Sequence, residues 1–94
     1  METKSIQSYN NSFEELVKDL TKYQEKGYKI VVASPSVTRA KRLSDDLREN
    51  GLVVTYDKEL THEVEAGQIV VTAGKLLTGI EYPAVKWVLI SEEI

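Results

Sequence analysis

Cysteine is absent and histidine occurs once. No disulfide and no thiolate metal site can form, and the single imidazole, His62, does not make a structural zinc centre. Long apolar runs are missing as well. No stretch approaches the roughly 20 residues that span a bilayer, and the start, Met1-Glu-Thr-Lys-Ser-Ile, lacks the charged-then-apolar pattern of a secretory signal. A cytoplasmic location and no membrane partner are therefore expected. There is no basic excess either. Twelve Lys and Arg stand against fifteen Asp and Glu, a formal net charge of −3, which argues against a stand-alone nucleic-acid binder. Lys18, Lys22, Lys26 and Lys29 are interleaved with Glu14, Glu15, Asp19 and Glu25, the pattern of a solvated helix face.

The residues of nucleotide chemistry are scarce. A phosphate-binding loop needs clustered glycines, then Lys and a hydroxyl residue, so that amides cradle phosphate and the hydroxyl holds magnesium. The nearest segment, Gly74-Lys75, has one glycine and places Leu76 where the hydroxyl belongs. The turn Ala33-Ser-Pro-Ser-Val37 has neither glycine nor lysine, and a GxGxxG fingerprint is absent. No catalytic residue, cofactor or metal ligand is expected.

What is present is an ordinary globular balance, 41% hydrophobic and 29% charged over 94 residues, enough for one domain spanning residues 1–94 with one small core. Residues 4–9 suit a short edge strand. Ser12-Phe-Glu-Glu15 is a capping box, followed by Phe13, Leu16, Val17, Leu20 and Tyr23 at helical spacing and by Gly27 as a left-handed stop. The first helix is expected over about 13–26. Residues 28–33 form an apolar strand. Ser36 caps a second helix with Val37, Ala40, Leu43 and Leu47 on one side and i,i+4 pairs Lys41–Asp45 and Arg42–Asp46 on the other. Gly51 stops it. Residues 52–56, 69–72 and 85–91 read as strands, and 57–68 as a loop with a helical turn near 61–66.

This alternation predicts an α/β fold: a small, mostly parallel sheet of four or five strands with two main helices. The near-continuous apolar runs Ile30–Ala33 and Val88–Ile90 suggest strands buried on both faces by helices. Two helices are few for that task, which leaves part of one face open or covered by another domain. The chain stops at Ser91-Glu-Glu-Ile94, directly after a core strand, and is expected to be a piece of a longer multidomain chain.

Four hydroxyls, on Ser34, Ser36, Thr72 and Ser91, are expected near carboxyl ends of strands, where open α/β sheets place ligands. His62 sits in an acidic loop and reads as a solvent-exposed loop histidine. The start of the second helix presents free amides with Ser36, Thr38, Arg39 and Lys41, a possible phosphate contact. Trp87 alternates with Val85 and Leu89, so these three share one sheet face. They are candidates for an interdomain contact, set against core packing of Trp87. Gly79 is expected to take a positive φ or a close backbone approach.

Several segments carry a family resemblance: Gln7-Ser-Tyr9 leading to a capped helix, Tyr28-Lys-Ile-Val-Val-Ala33, Arg39-Ala-Lys-Arg-Leu43, and above all Gly79-Ile-Glu-Tyr-Pro83 followed by Val88-Leu-Ile-Ser-Glu-Glu-Ile94. Together they resemble the bacterial transcription-repair coupling factors over nearly the whole chain. The resemblance is to the small α/β domain that follows the amino-terminal excision-helicase-like region. It implies a helicase-like, degenerate nucleotide-binding-type topology. It also implies a parent that is an ATP-dependent translocase on double-stranded DNA, which displaces stalled RNA polymerase and recruits excision-repair proteins. For this piece it implies a noncatalytic interdomain module, because the family's ATPase motifs lie in other domains. The alternatives are a stand-alone flavodoxin-like ligand-binding domain or enzyme, and a C-terminal half-domain of another helicase that touches the DNA backbone.

Overall fold

The computed structural model describes residues 2–5, 12–73 and 87–91. Ser12 has extended dihedrals and its side chain accepts from the Glu15 amide at 3.3 Å, which starts helix α1 (Phe13–Glu25). Only half of the capping box forms. The Glu15 carboxylate lies 3.6 Å from Lys18 Nζ instead of turning back to the cap. Gly27, at φ +76, takes the left-handed conformation that reverses the chain into β2 (Lys29–Ser34). Ser36 caps α2 (Val37–Glu49) by accepting from the Arg39 amide at 3.2 Å.

The strands are β1 (Glu2–Ser5), β2, β3 (Val54–Tyr56), β4 (Ile69–Ala73) and β5 (Trp87–Ser91). They form one sheet in the order β1-β5-β2-β4-β3, with every pairing parallel. The small parallel α/β fold read from the sequence is thus present. Its first strand lies earlier than expected, at Glu2–Ser5, and residues 6–9 fall outside the described ones.

The register sorts the side chains into two faces. Val54, Ile69, Ile30 and Val88 stand in one row, and Tyr56, Val71, Val32, Ile90 and Lys4 in the next. Both rows belong to the face that packs against Leu16, Leu20 and Tyr23 of α1 and Ala40, Leu43 and Leu47 of α2. Each fully buried Leu or Ile there contributes roughly 1.5–3 kcal/mol relative to exposure. Lys4 reaches from this face to α1, with Nζ 2.9 Å from the Asp19 carboxylate and 5.1 Å from the Tyr23 ring centroid.

The opposite face carries the row Val70, Val31 and Leu89. No helix among the described residues packs there. Among the described residues α1 and α2 share one face, and Leu60 and Val64 of the 57–68 connection pack on the other. Chain topology explains this. The hops β1 to β2 and β2 to β3 run the same way across the sheet, so one crossover hand puts α1 and α2 together. The hop from β3 back to β4 runs the other way, and the same hand then requires the opposite face.

Two local expectations also change. No helical turn forms near 61–66; the segment is irregular, with Leu60 at φ +53. Neither Lys41–Asp45 nor Arg42–Asp46 closes among the described residues. Asp45 is taken by Arg48 at 3.2 Å, and the Lys41 ammonium lies 6.0 Å from the Tyr56 ring centroid. Arg48 also donates to the Val54 carbonyl at 3.2 Å, which ties α2 to the edge strand.

Candidate functional site

The carboxyl ends of β2, β4, β5 and β3 bring Ser34, Thr72, Ser91 and Tyr56 to one end of the sheet. Their hydroxyls are not equivalent. Ser34 is buried at 1% exposure and hydrogen-bonded or otherwise engaged. Thr72 is buried and donates to the Lys58 carbonyl at 3.0 Å, while the Ala73 amide donates to the same oxygen at 3.3 Å. Ser36 spends its oxygen on the Arg39 amide. The Tyr56 hydroxyl is buried without a hydrogen-bond partner.

None of Ser34, Ser36, Thr72 and Ser91 meets His62. The imidazole instead lies at the rim beside β3, where Nδ1 is 3.0 Å from Asp57 Oδ2 and 3.2 Å from Thr61 Oγ1. Its side chain is 88% exposed and that of Asp57 only 14%. Asp57 also accepts from the His62 amide at 3.1 Å and from the Thr61 hydroxyl at 3.3 Å. Burial pushes the Asp57 carboxyl upward, but the bonds from His62 and Thr61 outweigh it and hold the group below its usual value. This constellation has an acid and an imidazole but no adjacent nucleophile among the described residues. Its evident work is to fold back the start of the 57–68 connection.

The far end of that connection is held separately. The Gly67 amide donates to the Tyr28 carbonyl at 2.8 Å, and Gln24 Nε2 donates to the Gly67 carbonyl at 3.0 Å. Asp57, Lys58, Leu60, Val64 and Gln24 were not singled out in the sequence. Their residue types carry no local signal; the crossover rule directs this segment to the face opposite α1 and α2 only once the strand order is known.

The possible phosphate residues do cluster. Ser36, Thr38, Arg39 and Lys41 lie in and just before the first turns of α2, and all are exposed. Ser36 is the cap, Arg39 has an interaction of its own, and Lys41 leans over Tyr56. Of the interdomain candidates, Val85 lies outside the described residues, as do Gly74, Lys75 and Gly79. Trp87 pairs in register with Lys29. Leu89 is half-buried and packs with Val31 and Val70 on the face opposite the helices. The described residues contain no group of three or more His, Cys, Asp or Glu placed to hold a metal, and no helix among them is long and apolar enough to cross a membrane.

Fold and rim together define a small all-parallel α/β unit in which Thr72 and Ala73, at the end of β4, both bond to the Lys58 carbonyl. Over 89 residues, 95% of its length, the chain is 27% identical to the transcription-repair-coupling factor of Staphylococcus haemolyticus. It is 26% identical over the same length to those of two Staphylococcus epidermidis strains. The likeness read from Gly79-Ile-Glu-Tyr-Pro83 and its companion segments therefore extends along almost the whole chain. The chain spans about 7% of the length of these curated relatives. No family model and no solved structure matches it.

Proposed function

We propose that this chain is a noncatalytic interdomain module of a transcription-repair-coupling factor. The carrying observation is the similarity over 95% of the chain to a segment that makes up 7% of each named relative. In this reading residues 1–94 are one α/β unit of a longer polypeptide. That polypeptide binds double-stranded DNA, RNA polymerase and excision-repair proteins, and its ATP-driven translocation resides in other domains. The buried or internally bonded hydroxyls at the strand ends, Ser34 and Thr72, suit a scaffold rather than a reaction site.

Two contact surfaces belong to the same proposal. Val85, Trp87 and Leu89 would meet a neighbouring domain. Ser36, Thr38, Arg39 and Lys41 would touch a phosphate backbone presented by the assembled protein.

A transplant tests the function. The chain replaces the matching segment of the Staphylococcus haemolyticus factor, and the hybrid is assayed for ATP-dependent release of stalled RNA polymerase. Release close to that of the parent is expected. A hybrid that folds and hydrolyses ATP but is no better than one lacking the segment would contradict the proposal.

A further inference from the structure

We propose that Asn50 is a one-way modification site: its side-chain amide is converted to a carboxylate by the backbone nitrogen of Gly51, and the end of α2 sets the rate. The chain has three asparagines, Asn10, Asn11 and Asn50, and only Asn50 precedes a glycine. Glycine has no side chain, so its nitrogen approaches the neighbouring carboxamide with the least hindrance. Asn50 and Gly51 are both exposed, so water and hydroxide reach them. The step balances with water as the only co-reactant. The Gly51 nitrogen gives its proton to solvent and bonds to Asn50 Cγ, the Cγ–Nδ2 bond breaks, and ammonia leaves with a proton from solvent. Water then opens the cyclic imide at either carbonyl. One opening leaves aspartate and the other a β-aspartyl linkage, and each ends with a free carboxylate.

The fold holds both the attacking and the leaving nitrogen. Asn50 is the C-cap of α2, and Gly51, at φ +87, takes the left-handed conformation that ends the helix. The Gly51 amide donates to the Arg48 carbonyl at 3.0 Å. Asn50 Nδ2 donates to the Asp46 carbonyl at 2.9 Å, and the Asn50 amide donates to the same oxygen at 3.2 Å. Ring closure turns the Gly51 nitrogen towards Asn50 Cγ, so the bonds made by that nitrogen and by Nδ2 must first break. Conversion therefore proceeds from the opened end of α2, and its rate follows how often that end opens.

The product opposes the fold at the same place. A carboxylate at position 50 has no N–H to offer the Asp46 carbonyl, and it adds negative charge at the negative end of the α2 dipole, directly after Glu49. The β-aspartyl form also lengthens the backbone by a methylene between α2 and Leu52. That residue is buried at 8% in the core beneath the helices, and its amide donates to the Leu47 carbonyl at 3.2 Å. Modification thus loosens the link from α2 to β3. Nothing in this chemistry depends on the proposed interdomain role.

The test is peptide mass spectrometry of the full chain after incubation in mildly alkaline buffer, native and in guanidinium chloride, with fragmentation that separates aspartyl from β-aspartyl products. In the denatured chain Asn50 is expected to convert ahead of Asn10 and Asn11. In the native chain Asn50 should convert at least about tenfold more slowly than in the denatured one. Gly51→Ala should suppress conversion in guanidinium chloride, where the positive φ of residue 51 has no bearing. Asn50→Asp, which imitates one product, should lower the urea midpoint of the native chain. Denatured Asn50 converting no faster than Asn10 or Asn11, a smaller difference between native and denatured chains, indifference to Gly51→Ala, or an Asn50→Asp midpoint at or above that of the parent would overturn the proposal.

Discussion

The two faces of the sheet are built from similar Val and Ile residues but are covered by different means. One lies beneath α1 and α2, whose Leu16, Leu20, Ala40 and Leu47 are at most 1% exposed. The other presents Val31 and Val70 to an irregular segment that supplies Leu60 and Val64. A helix brings its own backbone hydrogen bonds to the face it covers. The 57–68 segment is fastened by Asp57 within it and, from outside, by Thr72, Gln24 and the Tyr28 carbonyl. Among the described residues, equal burial of β2 on its two sides therefore rests on unequal support, and the helix face is expected to carry the global stability and the loop face a local closure.

The largest effect should come from the helix face. Leu20→Ala, at a site with 0% exposure, is expected to cost ~2–5 kcal/mol in urea unfolding. Val64→Ala on the loop face should cost less, about 1–2 kcal/mol, because two methyl groups leave a smaller cluster whose segment can relax. Equal losses at the two sites would remove the distinction between the faces.

Asp57 sharpens the comparison through pH. Its carboxyl is lowered from 3.8 in the folded chain. Folding therefore gains from it above the unfolded value, and the gain disappears as pH falls from about 3.8 through the lower folded value. Acid titration of unfolding should show this component in the parent and lose it in Asp57→Asn. Persistence of the same pH slope in the variant would assign the acid sensitivity to other carboxylates. The smallest change is expected at Tyr56→Phe. Its hydroxyl is buried and unpaired, so removal should leave stability within about 0.5 kcal/mol or raise it. A clear loss would show that the hydroxyl has a partner.

The helix face was the legible one. Ser12 and Ser36 before periodic apolar residues, with Gly27 and Gly51 after them, mark both helices to within a residue or two. A cap and a stop act locally and leave their mark in neighbouring residues. The assignment of helices to faces was not legible from the strands. Ile30–Ala33 and Ile69–Val71 are apolar on both sides whatever covers them, so their composition is silent about helix or loop. The order β2-β4-β3 decides it, and that order is a long-range property. The helical turn expected near 61–66 fails because Asp57 captures the His62 amide and the Thr61 hydroxyl, a side-chain alternative to helical bonding. At the candidate site, the clustering of Ser36, Thr38, Arg39 and Lys41 followed from the cap. The orientation of Lys41 towards Tyr56 did not, because it depends on the packing of α2 against β3.

Native-state hydrogen exchange of the Val64→Ala variant tests the difference between the faces most directly. The Asp57 and Gly67 amides, which bond to the Val71 and Tyr28 carbonyls, are expected to lose protection well beyond the global change. Amides within α1 and α2 should lose only what the global destabilisation removes. A uniform loss across helices, sheet and the 57–68 segment would contradict it, and the two faces would then be one cooperative unit.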